Sequence, residues 1–172
     1  DPDERVNGQG ISILEAAGIE VQVGVLEDLA SLDHSGFFFT QIKSRPFVTL
    51  KLAASIDGKI ATKEGDSKWI TGASARHFVH NMRRQHDAIM VGSGTVISDD
   101  PSLNVRDLGE CLQPARVILS SKLQIPEKSN LGKTVHEQPV WIFHSIDAPE
   151  KRKKSWLKKG AQLSECPVDN FG

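Results

Sequence analysis

An excess of charge of either sign is missing: 21 Lys and Arg against 22 Asp and Glu leave a formal net charge of −1 over 172 residues. The global balance therefore points to no nucleic-acid or anionic-membrane partner. No apolar run approaches the roughly 18 residues that a membrane span needs, and the acidic start DPDER is unlike a signal peptide, so the expected location is the cytoplasm. Cysteine is equally scarce. Cys111 and Cys166 stand far apart, outside any CxxC or Cys/His spacing of a zinc site, and read as free thiols. Repeats and low-complexity segments are absent as well. What remains is 38% hydrophobic and 25% charged residues, the balance of a soluble globular protein of one or two domains, long enough to bury a core.

The chain changes organisation near residue 45. Before it, Ile11, Leu14 and Ala17 recur at helical spacing and Gly18 stops the run; Ile19, Val21, Val23 and Val25 then alternate as in a strand, and a second helix follows. Such a unit would leave one side of its sheet and of each helix uncovered, so residues 1–44 are expected to be the tail of an α/β domain. Pro46 interrupts any continuing helix and biases Arg45 toward an extended conformation, which places the boundary between 44 and 45. From Phe47 the pattern restarts. FVTLKLAAS is expected to be a buried strand, DGKIAT a turn, and SARHFVHNMRRQ a helix with Phe78, Val79 and Met82 available for its buried face. DAIMVG, ARVILS and PVWIF read as fully buried strands, GSGTVISDDP as a loop with one helical turn, and APEKRKKSWLKKG as a surface helix stopped by Gly160. Strands alternating with helices predict a mostly parallel sheet with its ligands at the carboxyl ends of the strands.

The loops after these strands hold the candidate chemistry. Ala53, Ala54 and Ser55 are small enough to let a flat ligand approach the backbone, or simply to pack under a helix, which is the commoner use of such residues. Gly92 and Gly94 could lend backbone donors to a phosphate, with Ser93 and Thr95 adding hydroxyls, although no third glycine or acidic strand end completes a dinucleotide fingerprint. Ser120 and Ser121 are ligand donors or turn formers. Trp69 fits a core as well as a site, and Thr71 is placed to cap the following helix. Arg83 ends a helix, where the dipole alone favours a cation, and Arg106 follows in a loop; together they suit an anion such as a phosphate monoester. His77 and His80 lie three apart on one helix but lack a third metal ligand, and the KRKKSWLKK run reads as a solvated helix face.

Taken together, the motifs K-L-x-x-S-x-D-G, W-I-T and G-x-x-T-V-x-x-D-D-P-x-L-x-V-R, spread over Arg45 to Arg106, resemble the reductase domain of the bifunctional deaminase/reductase family of riboflavin biosynthesis. Weaker similarity continues to about Phe143, and the first residues resemble the end of that family's cytidine-deaminase-like domain. The resemblance implies an α/β, dihydrofolate-reductase-like fold over 45–172, preceded by the deaminase tail over 1–44. It implies a reductase that uses NADPH to turn the ribosylamino group of a small-molecule aminouracil ribose phosphate into a ribitylamino group. Carried onto matching positions, it assigns cofactor contacts to Ala53, Trp69, Thr95, Asp99 and Ser121, and substrate contacts to Ser67, Arg83, Leu103 and Arg106. Lys51 would hydrogen-bond sugar hydroxyls or pass a proton, unless it pairs with a buried acid. A homo-oligomer is expected for the parent protein.

Two family features do not occur. The Glu-Gly-Gly stretch near the family's cofactor pyrophosphate is absent, and so is the H-x-E with P-C-x-x-C zinc pattern of the deaminase, since His136 directly precedes Glu137 and Cys166-Pro167 has the wrong order. The reductase part is thus expected to be incomplete at its C-terminus, zinc to belong only to the missing deaminase part, and the 172-residue chain alone to be inactive. A related pyridine-nucleotide reductase of another pterin or pyrimidine, and an inactive dimer-forming piece, are the alternatives.

Overall fold

The computed structural model describes Asp3 and residues 5–167, and the chain falls into two compact units, residues 1–53 and 54–172. The first unit carries three helices, α1 (Gln9–Ala16), α2 (Glu27–Asp33) and α3 (Ser35–Lys43). Helix α1 closes where Gly18 takes a left-handed φ of 78°, its N–H bonding Glu15 O while Ile19 N bonds Leu14 O. Helix α3 ends two residues before Arg45-Pro46, where the chain must turn extended. The strand expected over residues 19–25 does not form, and neither does the one expected from Phe47. Both segments have the alternation of a strand, but a ladder needs a neighbour with free N–H and C=O groups, and the helices of this unit spend theirs internally. Val23, Val25, Val48 and Leu50 accordingly face solvent.

The second unit is built on α4 (Ala73–Arg84), β1 (Ala88–Gly92), α5 (Ser93–Asp99), β2 (Ala115–Leu119), α6 (Asn130–Lys133), β3 (Val140–His144), α7 (Glu150–Lys159) and β4 (Gln162–Glu165). The strands form one parallel sheet in the order β1-β2-β3-β4, with Gly92 opposite Leu119 and Leu119 opposite Phe143. This is the α/β architecture that the alternation of strands and helices predicts. The segment after β1, expected to be a loop with one helical turn, is the short helix α5 of seven residues.

The core lies on one face of the sheet. Ile118, Val140 and Ile142 point into it and meet Val96 of α5, Leu131 of α6 and Trp156 of α7, with Ile89, Val91 and Leu163 at its margin. On the other face Met90, Leu119 and Trp141 stay exposed, so the strands are buried on one side rather than on both as expected. Helix α7 ends as expected at Gly160, whose φ of 95° suits a glycine, and most of its basic residues are solvated; Lys153 pairs with Glu150 at 3.0 Å. Gly132 is required by packing: a Cβ there would overlap the Glu127 carbonyl oxygen and crowd Trp156. Among the described residues no helix is long and apolar enough to cross a membrane.

Candidate functional site

Helix α4 organises the site, and its working face is polar. Phe78, expected on the buried face, is exposed, while His80 is buried and Arg76 and Arg83 are half-buried. Arg76, His80 and Arg83 recur at i, i+4 and i+7, which is one face of an α-helix. Each holds a different stretch of chain. Arg76 Nη1 donates to Thr71 O at 2.6 Å, and its guanidinium carbon lies 4.4 Å from the ring centroid of Trp69, a cation–π contact. Trp69 is therefore steadied although it is 72% exposed, and it is not a core residue. Thr71 does not cap the helix; Gly72 stands at the cap position and no side chain bonds the first turn.

His80 Nδ1 accepts the Arg106 backbone N–H at 3.2 Å, which requires the neutral ring with its proton on Nε2. Burial holds this imidazole below the ordinary histidine range, and the charges of Arg83 and Arg106 push in the same direction, against a smaller pull from Asp107. Arg83 Nη1 donates to Asn104 O at 3.0 Å, so it does more than complement the helix dipole. Burial lowers the Arg83 pKa, and the neighbouring charge of Arg106 lowers it further. Among the described residues neither guanidinium forms an ion pair. Two like charges kept close without a counter-ion suit a bound anion.

The loop that carries Arg106 has no ladder of its own and is held by side chains from other elements. Asp100 and Leu103 adopt positive φ of 41° and 51°. Asn130 bonds both the side chain and the carbonyl of Asp100, at 2.7 and 2.8 Å. Gln138 donates to Leu103 O at 3.2 Å, and Gln113 pairs with both backbone groups of Val105, at 2.8 and 3.3 Å. Beneath it, the buried Arg116 bonds Thr134 and Gln138. The side chain of Leu103 is part of the core, so a ligand contact there can come only from its backbone.

The remaining sequence-derived residues are placed as follows. Thr95 and Asp99 stand four apart on α5, both exposed, Asp99 accepting the Ser98 hydroxyl at 2.6 Å. Ser121 is exposed just beyond β2, and the register of Gly92 with Leu119 puts it and the start of α5 at the same carboxyl end of the sheet. Ser120 is the turn former of the pair, its Oγ accepting Gln124 N at 3.2 Å. Ser67 is exposed in the loop before α4. Lys51 is exposed and Ala53 half-buried in the first unit. The Asp57-Gly58 turn forms as expected, Gly58 at φ 75°. Arg76, His80, Gln113 and Gln138 escaped the sequence reading as site residues. The spacing of Arg76, His80 and Arg83 was the available signal; nothing in the sequence marks the two glutamines. Among the described residues no group of three or more His, Cys, Asp or Glu side chains could hold a metal ion.

The family model described as the RibD C-terminal domain matches residues 46–164. The chain is 45% identical over 171 residues to the riboflavin biosynthesis protein RibD of Bacillus amyloliquefaciens, covering 99% of the chain and 46% of that protein. It is 42% identical over 164 residues to the Aquifex aeolicus protein of the same name, covering 95% and 45%. Among solved structures, Acinetobacter baumannii RibD superposes with a TM-score of 0.80 at 36% identity, over 99% of this chain and 47% of that one. A Thermotoga maritima diaminohydroxyphosphoribosylaminopyrimidine deaminase/5-amino-6-(5-phosphoribosylamino)uracil reductase superposes at 0.75 and 35% identity, over 95% and 51%. The chain thus spans about half the length of the curated relatives it matches. The α/β architecture, of the dihydrofolate-reductase-like class, is the one it shares with these structures.

Proposed function

Because the chain belongs to the RibD C-terminal domain family, we propose that it supplies the reductase part of a riboflavin-biosynthesis enzyme that converts 5-amino-6-(5-phosphoribosylamino)uracil to its ribitylamino product with NADPH. The observation that carries this reading is the Arg83–Arg106 pair: two neighbouring guanidinium groups that have no carboxylate partner among the described residues are matched to the phosphate of such a substrate. Held by that phosphate, the sugar is fixed in position and the reaction gains the advantage of a single orientation. Ser67 and the backbone of Leu103 contribute further substrate contacts.

The residues present fit a nicotinamide cofactor. Trp69 offers an exposed indole steadied by Arg76; Thr95 and Asp99 offer exposed polar groups on α5, and Ser121 offers one just beyond β2, at the sheet end where α/β folds take their ligands. NADPH, when bound, supplies a hydride for the anomeric carbon of the open-chain imine. The protein has to orient that carbon and deliver one proton to the imine nitrogen. For Lys51 as the proton or hydroxyl partner, and Ala53 as a cofactor contact, the assignment rests on the family resemblance alone.

Residues 1–44 are read as the end of a deaminase-like domain and 45–172 as reductase. Any zinc would belong to the deaminase part, whose ligand pattern is not in this sequence. The cytoplasm and a homo-oligomer of the parent protein complete the reading. Oxidation of NADPH and of NADH by the natural protein, each with the aminouracil ribose phosphate as substrate, provides the test. Clear preference for NADPH is expected; absence of substrate-dependent oxidation would refute the reductase reading, and equal efficiency with the two cofactors the choice of NADPH.

A further inference from the structure

The loop from Asp100 to Arg106 is a short piece of irregular backbone in an unfavourable conformation, and side chains from elsewhere maintain it. The Asn130, Gln138, Arg83, Gln113 and His80 side chains each bond a separate part of its backbone. Of these five, only an imidazole changes charge near neutral pH. His80 is also the one of the five tied to the second arginine, because its bond goes to the backbone of Arg106, whose charge acts on Arg83.

We infer that His80 is a positioning residue of this site: by accepting the Arg106 N–H on its neutral ring, it holds Arg106 beside Arg83 so that both guanidinium groups grip one phosphate. The inference rests on the reading of that pair as a phosphate site. Protonation would place an N–H where Nδ1 now accepts, so two donors would face each other and the hold on Arg106 would be lost. The charged groups acting on the ring are Arg83 and His77 from α4, and Arg106 and Asp107 from the loop. Three of them disfavour the imidazolium and Asp107 favours it, and burial adds to the side of the neutral form. The ring is therefore neutral at pH 7 and competent to hold the loop there; acidification would release it.

Ribose 5-phosphate, titrated calorimetrically into the 172-residue chain and variants between pH 5 and 8, separates the possibilities. His80→Phe keeps a ring but has no acceptor, and is expected to weaken binding at pH 7.5 about five- to tenfold, the worth of one backbone hydrogen bond at a site of preorganised charge. His80→Asn restores an acceptor near the Nδ1 position without a titrating group. It is expected to recover most of that loss and to flatten the pH profile relative to the unaltered protein, while both retain the phosphate's own ionisation near pH 6. Unchanged binding by His80→Phe would overturn the inference. So would a folded His80→Asn protein that binds as poorly as His80→Phe, or one that keeps the full pH profile. Arg83→Ala and Arg106→Ala serve as the reference. If both bind ribose 5-phosphate like the unaltered chain, the phosphate-site reading itself fails; if they lose binding while His80→Phe does not, only the role of His80 fails.

Discussion

Strand β2 and the loop at 100–106 hold their backbones in opposite ways. Residues of β2 are bonded to strands on both sides, and Ile118 is fully buried between core side chains. The loop has no ladder; its carbonyls and amides are taken up one by one by guanidinium, amide and imidazole groups. In the first arrangement the backbone bonds do not depend on side-chain identity, and at a position such as Ile118 an apolar side chain of the right volume serves. In the second, each side chain is specific to the group it holds. The difference bears on the candidate phosphate site: Arg106 sits on the part of the chain whose shape depends on particular polar side chains, and Arg83, on α4, is one of the side chains that hold it. It also predicts two classes of mutation, one that costs stability and one that costs ligand affinity.

The sharpest break should come from the core. Trp156→Ala leaves a large cavity, and Gly132→Ala forces a Cβ into the Glu127 carbonyl; each is expected to lower stability by about 3–5 kcal/mol in urea unfolding. In the loop class, Arg83→Ala should weaken phosphate binding by about 2 kcal/mol, roughly 30-fold, with a loss of stability nearer 1 kcal/mol. Comparable affinity before and after would return Arg83 to a helix-end charge.

A smaller effect tests the loop through pH. The folded His80 sits below the unfolded imidazole value of about 6.5, so on acidification the unfolded chain takes up this proton first. The stability present above that value is lost as pH falls from there toward the folded pKa, and no further loss comes from this group below it. His80→Asn should remove that slope; an identical pH dependence of unfolding in the two proteins would contradict the account. The smallest effect belongs to the first unit: Val23→Ala, at a side chain 69% exposed, should change the stability of this chain by no more than about 0.5 kcal/mol.

The segments IEVQVGV and ARVIL show how much of this was legible. Both alternate or carry β-branched residues, and both read as strands, but only the second has neighbours to pair with. Periodicity states which residues share a side; it does not supply the partner strand. The α/β class, β1 to β3, α4 and α7 were readable because their patterns are satisfied within one sheet. Arg83 and Arg106 stand out in the sequence as two cations at a helix end and in a following loop, and the structure brings their charges to act on one another. Gln113 and Gln138 were not, because a glutamine that bonds backbone far along the chain has the same local sequence as one in solvent. The polar face of α4 was obscured by the more obvious Phe78, Val79 and Met82, of which Phe78 lies in solvent.

The most direct test of the central claim, that Arg83 and Arg106 grip the substrate's phosphate in a reductase, compares two substrates in the natural protein: the aminouracil ribose phosphate and the same compound without its phosphate. Catalytic efficiency with NADPH is predicted to fall at least about a hundredfold for the second, since two charge-assisted contacts are lost together. Equal efficiency with both would mean that the arginine pair serves some other purpose.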